Sequence, residues 1–248
     1  MRQYIRVPTP ACRRSPDAPL LDRATLERCT VQWFRRGWSS LPDIRLVEVD
    51  GLRLVVKDWR ERSWLRRLTQ GRFMLTREHR FLKRLEGLSG VPRSFGFPDA
   101  DSLAIEYLAS RTVSKVHPYE YAQGYWDRAD ALVRALHARG VAHGDLDQED
   151  NIVVADDGSP GIIDFGGAVS RVEWSLLHRV AFDLLSRHDL YCIEILRAKK
   201  DLYPEERQAA PAPRLRPWQR SLLLRLNKID RKEEQRIHGV GEAPPGGG

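Results

Sequence analysis

The segment that most constrains this chain is His143–Ala168, HGDLDQEDNIVVADDGSPGIIDFGGA. Two short β-prone runs, Ile152–Val154 and Gly161–Ile163, flank a turn at Asp156-Asp157-Gly158. Strands that close become a tight hairpin. That hairpin sets Asn151 beside Asp164, with Asp145 a few residues upstream in a polar loop. Side-chain oxygens of this type are hard donors. Whatever else the chain does, its fold has to serve this cluster.

The flanking sequence supplies two kinds of structure. Before the cluster come strands: Thr30–Phe34, then Ile44–Asp50 and Leu52–Trp59 joined by the hairpin signal Asp50-Gly51. Leu65 to Leu88 reads as a helix broken near Gly71, with Phe73, Leu75, Phe81, Leu82 and Leu85 on its apolar side. Phe95–Phe97 and Leu103–Leu108 read as two more strands. Tyr119–Arg139 is an amphipathic helix stopped by Gly140, and Val172 to about Lys200 is helical again. Pro204 to Pro217 carries four prolines and reads as a linker; Trp218–Ile237 follows as a basic amphipathic helix, and Pro-Pro-Gly-Gly-Gly closes the chain.

The class is α+β. A β-rich lobe precedes a compact, mostly helical lobe, and the two share a cleft. The expected divisions are a loosely ordered arm over 1–25, a first lobe over 26–108, a second lobe over 109–204, and a linker, helix and tail over 205–248.

Charge divides along similar lines. The net +7 arises from +10 over residues 1–88, −6 over 89–204 and +3 over 205–248. A basic first third against an acidic middle points to two lobes with different tasks. The aromatics do not interleave with the basic residues as a stacking platform would, so nucleic acid is not the expected partner. No run approaches the ~18 to 20 apolar residues that span a bilayer. The first residues, MRQYIRVPTPACRR, lack a signal peptide's apolar stretch. Cys12, Cys29 and Cys192 form no CxxC pair. They suggest neither a zinc site nor a disulfide framework, and reduced thiols in the cytoplasm are the expectation.

The cluster resembles the catalytic loop and metal motif of the protein-kinase-like superfamily, which read His-x-Asp with a following Asn and then Asp-Phe-Gly. Over residues 30–200 the chain looks most similar to small bacterial kinases, the lipopolysaccharide Kdo/heptose kinases and RIO-type kinases. The resemblance implies a bilobal protein-kinase-like fold and an ATP- and Mg²⁺-dependent transfer of the γ-phosphoryl group to a hydroxyl. It implies Asp145 as the carboxylate at the acceptor hydroxyl, and Asn151 and Asp164 as metal ligands. Lys57, ending a strand in Val55-Val56-Lys57, is placed on the phosphates, with Glu78 as its partner on the following helix. Glu106 and Leu108 fall at the adenine-binding hinge, and Gly37 in the phosphate turn.

Several features depart from the family pattern. The spacing from Asp145 to Asn151 is one residue longer than usual. Either the loop bulges and Asn151 keeps the metal position, which we favour because it directly precedes the strand, or Asp150 takes it. Gly144 stands where regulated kinases carry an arginine. The glycine-rich cover is reduced to Gly37 in RRGWSS, where either Arg35 or Arg36 would compensate by charge. No Ala-Pro-Glu follows Asp-Phe-Gly, so a peptide platform is not expected. Asp183 is a candidate for tying down the catalytic loop. The acceptor is either a lipopolysaccharide core sugar at the inner membrane face or a protein Ser/Thr. The Trp218–Ile237 helix either lies on an anionic membrane or docks on the second lobe, and the second is favoured. The alternative to a kinase is a pseudokinase, a nucleotide-binding or scaffold module without turnover.

Overall fold

The structure is a computed structural model and describes residues 21–37, 41–116, 121–172 and 174–201, all within one compact unit. Helix α1 (Arg23–Arg28) opens it, capped by the Asp22 carboxylate, which accepts from Thr25 N–H at 2.7 Å. The helix begins inside the stretch expected to be a loose arm. Leu26 anchors it, fully buried against Val47, Leu54 and Val56 of the sheet.

Strands β1 (Thr30–Arg35), β2 (Asp43–Val49) and β3 (Leu52–Asp58) follow. The β2–β3 hairpin turns at Asp50-Gly51, both with positive φ, as the sequence signal requires. The predicted long helix is interrupted. A turn of α-helix, α2 (Trp64–Arg66), passes through a π-turn (Arg67–Gly71) into α3 (Arg72–Arg84). On α3, Leu75, Phe81 and Leu82 are buried, but Phe73 is 62 % exposed. Two residues rotate a helix by about 200°, so Phe73 faces away from Leu75.

Strands β4 (Ser94–Asp99) and β5 (Ser102–Glu106) complete a five-stranded antiparallel sheet in the order β1-β2-β3-β5-β4. Beyond it come β6 (Ser110–Thr112) and α4 (Tyr125–Ala138). The second helix therefore starts later than the sequence pattern suggests, after Gly124. Strand β7 (Val141–Ala142) leads into the polar loop, and a 3₁₀ turn (Glu149–Asn151) into β8 (Ile152–Ala155) and β9 (Pro160–Ile162). Val153 pairs with Gly161, so the expected hairpin forms. Strand β10 (Val169–Ser170) pairs back on β7, and α5 (Leu176–Asp201) ends the described chain.

The main core joins α3, β5, α4, the β8–β9 hairpin and α5 through side chains such as Leu82, Leu103, Leu136, Ile152 and Ile193. Burial of this kind contributes about 1.5–3 kcal/mol per large apolar side chain. Cys192 is a free, buried thiol, whereas Cys29 is half of a disulfide whose other half lies outside the described residues. The expectation of three reduced thiols is corrected accordingly. No helix among the described residues is long and apolar enough to cross a membrane. The linker, the Trp218–Ile237 helix and the tail lie outside the described residues.

Candidate active site

Lys57 sits at the β3 end of the cleft, and its buried ammonium is the hub of the site. Its Nζ donates to Glu78 Oε1 at 2.7 Å and to Asp164 Oδ1 at 2.8 Å. The three groups come from three elements: Lys57 from β3, Glu78 from the buried face of α3, and Asp164 from the turn after β9. Burial alone would push the lysine's pKa down, but the two facing carboxylates hold it above its ordinary value. Lys57 in turn holds the Asp164 carboxyl below the usual carboxylate range. Burial pushes the Glu78 carboxyl up, against the pull of Lys57. The Asp164 side chain is 52 % exposed, so it is open to the cleft while Lys57 is closed in.

Asp164 adopts a left-handed conformation, φ 66°, ψ 71°. Aspartate tolerates this region better than most residues. Arg77 on α3 donates to the carbonyls of Gly167 (3.3 Å) and Ala168 (2.6 Å) just beyond. Thus α3 is tied to the Asp-Phe-Gly turn at two levels, through Glu78–Lys57–Asp164 and through Arg77.

The polar loop is built from below. Asp189 on α5 is fully buried, and its carboxylate accepts from the backbone N–H groups of His143 (2.7 Å) and Gly144 (2.8 Å). His137 Nε2 lies 3.0 Å from the same carboxylate. Asp183, the residue that the sequence offers as a candidate for this task, is exposed. Gly144 has φ 80°, and an added Cβ would come 3.3 Å from Leu185. Glycine suits the position on both counts, which accounts for the missing arginine. His143 is fully buried, packs on Phe165 and lies 3.0 Å from the Ile163 carbonyl. Burial lowers its pKa.

Asp145 stands at the top of this loop. Asn151 Nδ2 donates to its carboxylate at 3.1 Å and to its carbonyl at 2.8 Å. Gln148, which sequence reasoning did not single out, donates to both carboxylate oxygens at 3.0 and 3.1 Å. Burial, with Asp147 nearby, pushes the Asp145 carboxyl up to about 6. The extra residue of the loop is taken up in the 3₁₀ turn Glu149–Asn151. Asn151 returns to Asp145, and Asp150 accepts instead from the Ser114 hydroxyl. Ile163 N–H donates to the Asn151 carbonyl at 2.9 Å, which closes the hairpin end against the loop.

The hinge and the roof differ from the sequence expectation in detail. The Glu106 carboxylate is engaged away from any ligand role, accepting from Arg93 N–H at 2.9 Å. Only its backbone is left for the cleft. The Leu108 carbonyl accepts from the Ser110 hydroxyl. Gly37 was expected to offer its amide to phosphate, but that N–H donates to Asp43 Oδ1 at 2.9 Å. The reason is that Asp43, buried with Arg62, draws the turn back onto β2.

A family comparison places this arrangement. The RIO domain model matches residues 47–207 of the 248. The chain belongs to the RIO domain family.

Solved structures agree on the fold. The crystal structure of the Rio2 kinase from Chaetomium thermophilum is similar over 77 % of this chain and 63 % of that one, with 21 % identity and a TM-score of 0.51. The same enzyme's ADP/Mg²⁺–phosphoaspartate complex is similar over 80 % and 62 %, with 21 % identity and a TM-score of 0.50. This chain thus spans under two thirds of the length of those kinases. No curated protein matches it. Within the RIO domain, Lys57, Glu78, Asp145, Asn151, Asp164 and Asp189 all fall inside the matched residues.

Proposed function

We propose that this RIO domain is a kinase that transfers the γ-phosphoryl group of ATP to a hydroxyl. The observation that carries the reading is the convergence of Lys57 with Glu78 and Asp164, opposite an Asp145 held by Asn151. Lys57, oriented by Glu78, binds the α- and β-phosphates. Asp164 and Asn151 supply oxygen ligands for Mg²⁺, which neutralises charge on the phosphates when bound. The ligand chemistry fits, because a half-exposed carboxylate and an amide oxygen are hard donors. The Glu106 carbonyl and the Leu108 N–H form the edge for the adenine. Asp145 orients the acceptor hydroxyl and takes its proton. A carboxyl with its pKa raised to about 6 is a better base near neutrality than an ordinary aspartate, and is still ionised there. Most of the rate gain in such a site comes from positioning and electrostatics.

RIO membership and the Rio2 kinase complex with ADP and Mg²⁺ support the nucleotide and metal. RIO membership also supports a protein Ser/Thr acceptor. The short path from β10 to the start of α5 at Leu176 supports a sugar hydroxyl such as that of the lipopolysaccharide core, since it leaves little room for a peptide platform. The reaction is placed in the cytoplasm, where ATP is supplied, with the inner membrane face as its site if the acceptor is lipid-linked.

The test is turnover of labelled ATP by the purified chain with Mg²⁺, offered either cell lipid extract or protein lysate. Label in one fraction names the acceptor class, and Asp145→Ala and Asp164→Ala abolish it. ATP binding without any turnover overturns the kinase reading in favour of a pseudokinase.

A further inference from the structure

The sequence leaves Arg35 and Arg36 as alternatives for strengthening the thin phosphate turn, and the structure separates them. Arg36 is exposed and lies over the Trp33 ring, 4.6 Å from its centroid, on the outside of the sheet. Arg35 ends β1 half-buried, with its Nε donating to the Pro42 carbonyl at 3.0 Å. Arg35 pairs with Ile44 of β2, and Ile44 pairs with Lys57 of β3, so Arg35 and Lys57 share one face of the sheet. Burial lowers the Arg35 pKa, and the charges of Asp164 and Asp43 work against that.

Three contacts fix this corner. Arg62 Nε donates to the Leu41 carbonyl at 2.7 Å, and Arg62 pairs with Asp43. Asp43 holds Gly37 N–H. The far side of the turn is therefore bolted to β2, and Arg35 is held at its near side without needing flexible glycines.

Arg35 also stands out by what it lacks. Several buried or half-buried arginines around the sheet pair with carboxylates: Arg23 with Asp58 and Asp99, Arg45 with Asp58, and Arg67 with Asp101. Among the described residues Arg35 forms no ion pair, and its Nε goes to a backbone carbonyl. A half-buried guanidinium that no carboxylate contacts gains from an arriving anion. The fork of a guanidinium suits phosphate oxygens. We propose that Arg35 is a phosphate-binding residue of the roof, which contacts the triphosphate opposite Asp164 in place of the amides that a glycine-rich turn would supply. This rests on the kinase reading.

The test is calorimetric titration of the full chain with ATP and with adenosine, in Mg²⁺ buffer. A charge-assisted contact of this type is worth a change of about tenfold or more in dissociation constant. Arg35→Gln is expected to weaken ATP by about that factor while leaving adenosine unchanged, and Arg36→Gln to leave both unchanged. Arg35→Met keeps the packing of the stem and repeats the measurement if Arg35→Gln melts early. ATP affinity equal to wild type in the Arg35 variants overturns the proposal, as does equal loss of ATP and adenosine. A wild-type chain that binds no ATP instead overturns the kinase reading itself.

Discussion

The two faces of the cleft are held in different ways. The roof is held by charged side chains on charged side chains: Lys57 on Glu78 and Asp164, Arg62 on Asp43, Arg23 and Arg45 on Asp58. The floor is held by a buried carboxylate on backbone N–H groups and by neutral amides on Asp145. Ion pairs can exchange partners, so the roof can hand its charges to a ligand. Backbone anchors cannot, so the floor keeps its geometry whether or not a ligand is present.

Four measurements bear on that contrast. The largest effect is expected at Asp145, the base of the proposed reaction. Asp145→Asn should lower turnover by about 10²–10⁴-fold with little change in ATP affinity. In the wild type, kcat/KM should fall as pH drops through about 6, because the carboxyl is then protonated and can no longer accept a proton. A flat profile across that range would remove Asp145 from the role of base.

Next comes the anchor. Asp189→Ala should cost about 3 kcal/mol in chemical denaturation, because two backbone donors lose a buried charged acceptor. Asp183→Ala, at an exposed position, should cost almost nothing. Acidification should not restore these two contacts in Asp189→Ala, since backbone N–H groups do not titrate.

The roof should behave otherwise. Lys57→Met strands the buried Glu78 carboxylate, at a cost of about 2–3 kcal/mol near neutral pH. Burial raises the Glu78 pKa in the fold above its unfolded value, so the folded state binds the proton more readily. Stability then falls as pH rises, and lowering the pH should restore part of the loss. Equal melting temperatures for the variant at pH 5 and pH 8, measured against wild type, would break the contrast. The smallest effect is at the exposed pair Arg134–Asp130 on α4. Arg134→Ala should leave the melting temperature unchanged within error.

Much of this was legible in the sequence because the key spacings are local. The turn at Asp156-Asp157-Gly158 dictates the β8–β9 hairpin, and the hairpin dictates that Ile163 meets Asn151. Lys57 and Glu78 were legible through the resemblance of their strand and helix to the kinase pattern. What escaped depends on the phase of a helix. Asp183 and Asp189 are six residues apart on α5, about 240° around the helix, and periodicity alone does not say which face meets the loop. Phe73 was misplaced for the same reason. Gln148 and the engagement of Gly37 by Asp43 escaped because they depend on how polar loops close, which leaves no periodic trace.

The double pairing of Lys57 has a consequence for how a ligand enters. An ammonium has three N–H donors, and two are engaged. One remains, so an anion can be received without first breaking either contact. The trio of one cation and two carboxylates nevertheless carries a net negative charge. A polyanion approaching alone would meet repulsion, so electroneutrality requires positive charge to travel with it, and nucleotide and divalent cation should be taken up as a coupled pair.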